Sequence, residues 1–374
     1  MRFLFVGSFS NVGGSALATL PFIQTLRQTG HTVQLSHWVK PNPTDLFRDQ
    51  DLLNLDLAQQ KNIVNKIYRL TRLAFQYDII IAISELTPTY ACQIAAWIAQ
   101  RPVFGELQVH LDSWIKDNSN PVHHLLSRCF YPRLSGLRCV SQALANYAVQ
   151  SLSVASDKTF VVYNGFDIEK IQKLSDDPLP MAIKNWFRNP VILCVGRLTQ
   201  QKRFDLAIQA FKIAKLKLSI KVNLVIVGEG DLRQELEDLA GQLGLKEVVH
   251  LAGLYGNPFP LFKQASMFLL SSDYEGFGRV LVEAMICGCP VIAHDCPVGP
   301  REILENGQSG YLVSSNTPEI LADAIITVFK NFSLREQLIQ NGHDRAQAFK
   351  QESICQQYMS DFQKLYTKKK FIAT

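Results

Sequence analysis

Short apolar runs recur along the chain, each followed by a turn-prone loop and then by a stretch with helical spacing. Apolar runs of four to eight residues bounded by Gly, Pro, Asn or Asp fit buried strands. Apolar positions three and four residues apart fit helices with one buried face. In the first half, residues 2–7, 32–35, 77–84, 101–110 and 138–141 read as strands, and 16–29, 61–75, 92–99 and 141–150 as helices. In the second half, strands are expected at 191–195, 222–227, 248–252, 267–270 and from Val291. Helices are expected at 231–243, 279–287, 318–329 and 351–369. Regular alternation of this kind predicts parallel sheets covered by helices. The opening strand, the loop S-F-S-N-V-G-G-S, a helix and the strand at Thr32 form the start of a doubly wound unit.

At 374 residues the chain exceeds what one core accommodates, and two domains are expected. Pro178, Pro180 and Pro190 lie in a stretch without periodicity, which reads as the linker. The expected division is 1–177, a linker at 178–190, and 191–351. The net charge of +5 is too mild for a nucleic-acid binder. The eight cysteines form no C-x-x-C pair and no zinc-like spacing, so free thiols in a reducing cytoplasm are expected. No apolar run reaches the roughly 20 residues that cross a membrane, and the first residues read as a strand. Residues 61–75 are basic and amphipathic, with Lys66, Arg69 and Arg72 at helical spacing. Such a helix either packs on a core with a solvated basic face or lies against anionic lipid.

The most informative stretch is 271–290, S-S-D-Y-E-G-F-G-R-V-L-V-E-A-M-I-C-G-C-P. It reads as a loop between a strand and a helix that Gly288 and Pro290 terminate. A helix starting just after Gly276 and Gly278 presents free N–H groups and a positive dipole end to a phosphate. Glu275 and Glu283 flank that start. They would lie about 12 Å apart if every intervening residue were helical, roughly the length of a nucleotide sugar. A hydrolase pair would need carboxyls about 5–10 Å apart across one bond. Elsewhere, Gly13-Gly14 permits close approach of backbone to a ligand. His110 is placed at a strand end, where α/β proteins contact ligands. G-E-G at 228–230 has Arg233 in the third glycine position, which argues against a dinucleotide site.

E-G-F-G-R-V-L-V-E-A-M, together with G-R-L-T-Q-Q-K at 196–202, C-P-V-G-P-R-E-I at 296–303 and N-G-Q-S-G-Y-L-V at 306–313, resembles glycosyltransferase family 4. The resemblance is strong from 191 to 313 and weaker before. It implies the GT-B fold, two doubly wound Rossmann-like domains facing across a cleft, with the last helix, about 352–370, returning to the first domain. It implies that Arg197 and Lys202 hold the donor diphosphate and neutralise the leaving group, without a metal or other cofactor. Arg203 stands where the family has glycine. By the same resemblance Glu275 orients the sugar and Glu283 the ribose, and His110 lies near the sugar. Gly13, Gly14, Gly276, Phe277 and Gly278 meet the donor, and Gly230 and Leu254 lie near the base. The implied activity is retaining transfer of a hexose or N-acetylhexosamine from a UDP-sugar to a glycan or lipid-linked acceptor. The setting is the cytoplasm or the inner membrane face. GDP-mannose-dependent transfer and nucleotide-sugar epimerisation remain the alternatives.

Overall fold

A computed structural model describes residues 1–8, 14–39, 53–54 and 56–372. It divides into two compact units, 1–165 with 351–374, and 166–350.

The strands of the first unit are β1 (Arg2–Gly7), β2 (Thr32–His37), β3 (Leu53–Asn54), β4 (Ile79–Ala82), β5 (Val103–Leu107), β6 (Gly136–Cys139) and β7 (Thr159–Val161). They form one parallel sheet in the order β3-β2-β1-β4-β5-β6-β7. The buried residues of β1 and all of β4 are apolar because helices cover both faces. Phe3, Phe5, Phe22, Ile81 and Phe104 build the core on one face.

The last helix, Gln351–Ile372, belongs to this unit. Its Tyr358 ring stacks on Phe22 at 3.6 Å, and Phe362 meets Phe104 at 4.5 Å. The Tyr358 hydroxyl donates to Glu106 Oε1 at 2.9 Å. Glu106 is fully buried and also pairs with Arg138, N to O 3.2 Å. Arg138 reaches the carbonyls of Val162 and Tyr163 and the Asn164 side chain. The Glu106 carboxylate and the Arg138 guanidinium therefore both have hydrogen-bonded partners, as buried charges require.

The second unit has β8 (Val191–Val195), β9 (Asn223–Val227), β10 (Val249–Gly253), β11 (Met267–Leu270), β12 (Val291–His294) and β13 (Tyr311–Val313). Their order, β10-β9-β8-β11-β12-β13, is again parallel throughout. The division falls at Gly165/Phe166, earlier than the boundary expected at 177. Residues 166–190 belong to the second unit by their contacts. Helix Ile168–Ser175 is held by Asn257, which donates to the Leu174 carbonyl at 2.8 Å. Trp186 stacks on His250 at 4.2 Å, and Asn223 donates to its carbonyl at 2.6 Å. The proline-rich segment packs on this unit as turns and a short 3-10 helix, Lys184–Arg188, with Leu179 and Ile183 buried.

Candidate active site

In a doubly wound sheet, ligands bind beyond the C-terminal ends of the strands, where the strand order reverses. In the second unit that point lies between β8 and β11. The loops leaving these two strands are residues 196–203 and 271–278, so the sheet order alone brings the two motifs together.

The loops are tied to each other by many bonds. The Asp273 amide donates to the Gln201 carbonyl at 2.9 Å, and Gln201 Nε2 donates to the Tyr274 carbonyl at 2.8 Å. Ser271 Oγ donates to the Lys202 carbonyl at 2.8 Å. Asn316 and His294 brace the same loop through the Ser271 and Ser272 carbonyls. Lys202 Nζ meets Glu275 Oε1 at 2.6 Å, and Ser272 Oγ donates to that oxygen at 2.7 Å. Glu275 is buried, and only 13% of the Lys202 side chain is exposed. Arg197 is exposed and has no ion-pair partner among the described residues. The site thus presents one cation locked to a carboxylate and a second one free.

Arg203 stands where glycosyltransferase family 4 has glycine, and its backbone gives the reason glycine suits this position. Its φ is +48° and its ψ +43°, a left-handed conformation that L side chains adopt at a cost. Ion pairs to Asp205 and Asp273, at 3.0 and 3.1 Å, hold it there. Gly196 has the lysine stem packed over it, and an added Cβ would lie 3.2 Å from Lys202 Cε.

Helix Arg279–Ile286 begins after Gly278, at φ +93°. Residues 275–278 are therefore not helical, and the fully helical spacing between Glu275 and Glu283 does not apply. Glu283 pairs instead with Arg279, one turn earlier, at 3.5 Å. Burial pushes the Glu283 carboxyl above its ordinary range, and Arg279 opposes the shift. Arg279 stacks on Phe166 at 4.2 Å, and its Nη1 is buried with no hydrogen-bond partner among the described residues. The i,i+4 spacing of Arg279 and Glu283 within the helix places the two side chains on neighbouring turns of one face. Thr199 Oγ1 is likewise buried without a partner on the other loop. Unsatisfied groups of this kind are uncommon and suit a polar ligand.

The Phe277 ring is buried between Phe166, at 6.4 Å, and Phe349, at 5.6 Å. What residue 277 offers a ligand is its main chain. Gly276 lies between it and Glu275, with no hydrogen bond through its own amide among the described residues. Gly230 packs on the other loop, where an added Cβ would sit 2.4 Å from the Leu198 carbonyl oxygen. Leu254, just after β10, is 64% exposed.

His110 lies in the first unit. It does not end a strand: β5 stops at Leu107, and His110 caps helix Leu111–Asn118. Its Nδ1 accepts from the Ser113 amide and lies 2.8 Å from Ser113 Oγ. Its ring is 4.4 Å from Tyr147, and burial lowers its pKa. Capping fixes the residue here because the helix's first amides need an acceptor. Gly14 starts helix Gly14–Gln28, and Gly13 lies outside the described residues.

Residues 182–345 match the family described as glycosyl transferases group 1. The chain is 32% identical over 271 residues to an N-acetylgalactosamine-N,N'-diacetylbacillosaminyl-diphospho-undecaprenol 4-alpha-N-acetylgalactosaminyltransferase of Campylobacter jejuni, and the match covers 71% of each. The chain belongs to the group 1 glycosyl transferases.

This glycosyltransferase is also 32% identical over 232 residues to an uncharacterized glycosyltransferase of Methanocaldococcus jannaschii, but that match spans 57% of the archaeal chain. Its fold matches Anabaena HepE, solved in complex with UDP and glucose, with a TM-score of 0.84 over 97% of this chain at 23% identity. That likeness establishes the GT-B class of fold, with its two doubly wound α/β units.

Proposed function

We propose that this glycosyltransferase moves a hexose or N-acetylhexosamine from a UDP-sugar to a hydroxyl of a glycan or lipid-linked acceptor, with retention and without a metal. The Lys202–Glu275 pair beside the free Arg197, at the strand-order reversal, carries this reading. A departing nucleotide diphosphate develops charge, and cations fixed in advance stabilise it without reorganising. Lys202 is fixed by Glu275, and Arg197 remains to meet the second phosphate. Glu275 and Ser272 then face the sugar hydroxyls, and Glu283 the ribose. UDP is supported by the HepE complexes, and a lipid-linked or polymeric acceptor by the Campylobacter relative. A poly(ribitol-phosphate) alpha-N-acetylglucosaminyltransferase of Staphylococcus aureus, 26% identical over 203 residues, points the same way.

Calorimetric titration with UDP, GDP and ADP in EDTA tests the donor. UDP alone should bind, in the micromolar range. Binding of GDP alone would turn the reading to mannosyl transfer, and binding that requires a divalent cation would remove the metal-free mechanism. Transfer is tested with UDP-sugars against a panel of undecaprenyl-diphosphate-linked saccharides and poly(ribitol phosphate). NMR of the product reports the anomer, and an isomerised nucleotide sugar without transfer would favour an epimerase.

The lipid-linked acceptor motivates a peripheral membrane contact through the first unit. Among the described residues no helix is long and apolar enough to cross a membrane. Helix Ile63–Ala74 exposes Val64, Tyr68, Arg69 and Arg72, and the adjacent helix Thr87–Ala99 exposes Trp97 at 79%. Lys66 takes no part: its Nζ donates to the Trp38 carbonyl and lies 4.6 Å over that ring. Exposed aromatic and basic groups on neighbouring helices suit an anionic interface. The protein should co-sediment with vesicles of phosphatidylglycerol at low salt, and Arg69→Glu with Arg72→Glu should reduce the bound fraction several-fold. Equal sedimentation of both proteins would remove this contact.

A further inference from the structure

The first unit has a cavity of about 630 Å³ at the end of the sheet where its strands begin. Helix Thr87–Ala99 ends there, and β5 and β6 start there. Gln93, Trp97, Ile98, Arg101, Arg133 and Ser135 are among its walls. Ligands of a doubly wound sheet meet the opposite, C-terminal strand ends. The five residues of β5 set the two ends about 13 Å apart. This cavity therefore lies away from the edge that serves the transfer chemistry.

Two arginines reach it from different segments, and no acidic side chain lines it among the described residues. Arg101 Nε is buried with no hydrogen-bond partner among the described residues. Arg133 donates through Nη1 to the Cys129 carbonyl, and neither arginine has an ion-pair partner among the described residues. Lys158 Nζ donates to the Pro132 carbonyl at 2.9 Å, which adds a third positive charge beside the same segment. Gln93 Oε1 is a second buried atom on these walls with no partner among the described residues. Ser135 Oγ accepts from the Val103 amide at 3.2 Å, which leaves its proton to donate. The carbonyls of Ala96 and Trp97, at the negative end of their helix, are taken by the amides of Gln100 and Arg101, so they oppose an anion less. Folded chains pair nearly all their buried polar atoms. An orphaned donor and an orphaned acceptor on one cavity wall call for a ligand that supplies both partners. Water would pair both atoms but leave two guanidinium charges uncompensated, whereas an oxyanion neutralises them. At the rim Trp97 and Ile98 are exposed, and a tryptophan suits a boundary between apolar and wet surroundings.

We propose that this cavity binds a phosphate ester that carries a hydroxyl group, such as the glycerol phosphate of an anionic phospholipid headgroup. The guanidinium forks of Arg101 and Arg133 pair with phosphate oxygens. Gln93 Oε1 accepts from the ester's hydroxyl. Trp97 and Ile98 lie where the apolar part of a lipid would leave the cavity. A free phosphate ester presents the same chemistry. The site stands or falls without the transferase reading, and a soluble ligand tests it without a membrane.

The experiment titrates the full chain with glycerol 3-phosphate by calorimetry, in phosphate-free buffer at low salt and pH 8, where the phosphate is doubly charged. The wild type should bind it saturably. Arg101→Gln with Arg133→Gln should weaken binding at least about tenfold, the loss expected for hydrogen bonds to a charged group. Gln93→Glu puts a carboxylate on the same wall with little change of shape and should weaken binding as much. It decides the matter if thermal scans show that the arginine double variant is poorly folded. Co-sedimentation with phosphatidylglycerol vesicles then separates the sources. A headgroup ligand requires the vesicle-bound fraction to fall several-fold in Arg101→Gln with Arg133→Gln, although Arg69 and Arg72 are intact. Unchanged sedimentation beside weakened glycerol phosphate binding keeps the site and makes its ligand a free phosphate ester. Absence of saturable glycerol phosphate binding by the wild type would overturn the site whatever the vesicles show, because charge alone moves vesicle binding. Equal affinity in wild type and folded variants would overturn it too.

Discussion

Lys202→Ala should lower sugar transfer by about 10²–10³-fold at saturating donor, the loss typical of removing one preorganised group from a developing negative charge. The same change should destabilise the second unit. Glu275 would keep only the Ser272 hydroxyl on its bonded oxygen, in a buried position. Removing one partner of a buried pair costs about 3–5 kcal/mol. The figure belongs near the low end here, because part of the lysine side chain reaches solvent. A double-mutant cycle separates the two effects. Lys202→Ala combined with Glu275→Ala should regain stability, since no orphaned carboxylate remains, yet stay inactive. Denaturant unfolding and single-turnover kinetics measure the two quantities. Transfer within threefold of wild type in Lys202→Ala would remove the lysine from the reaction.

Gly228→Ala should disable the same site from behind. Gly228 has φ +147°, and a Cβ there would lie 1.8 Å from the Gly196 carbonyl oxygen. That contact is backbone against backbone, so no rotamer change can relieve it. The loop carrying Arg197 and Lys202 must move. Its registry depends on this neighbour: the Gly196 amide donates to the Val227 carbonyl, and the Leu198 amide to that of Glu229. Forced overlap of this kind costs at least about 3 kcal/mol, and UDP affinity should fall more than tenfold. Gly244→Ala is the matched control. Gly244 also has a left-handed φ, +69°, but nothing lies within 4 Å of an added Cβ. Only conformational strain of about 1–2 kcal/mol applies there, with UDP binding unchanged. Equal denaturation midpoints for the two variants would refute the close-approach argument.

Both expectations start from residues whose place was legible in the chain. Buried parallel strands must be short apolar runs, because helices cover both faces. Each run except those of the short β3, β7 and β13 therefore announces itself, and the alternation with helices leaves a doubly wound sheet as the natural arrangement. Arg197, Lys202 and Glu275 lie in loops that follow such runs directly and Glu283 in the helix after one, while their expected roles come from the resemblance to glycosyltransferase family 4. The sheet order then forces the loops after β8 and β11 together. Other features depend on partners far apart in sequence, and no local pattern encodes those. Arg138 is the one charge in the strand expected at 138–141, and it is buried because Glu106, 32 residues earlier, lies on the neighbouring strand. Lys66 looks like part of a basic face but is drawn to Trp38. His110 looks like a strand end but is claimed by the first amides of a helix. The proline-rich segment before Val191 looks like a linker, but Trp186 finds a histidine to stack on. Burial pushes the Glu85 carboxyl up, and Glu106 adds to the shift as a neighbour only once β4 and β5 pair. Periodicity reports how much of a side chain is buried. Which charge or ring it is buried against is decided by strand order, and strand order exists only in the folded chain.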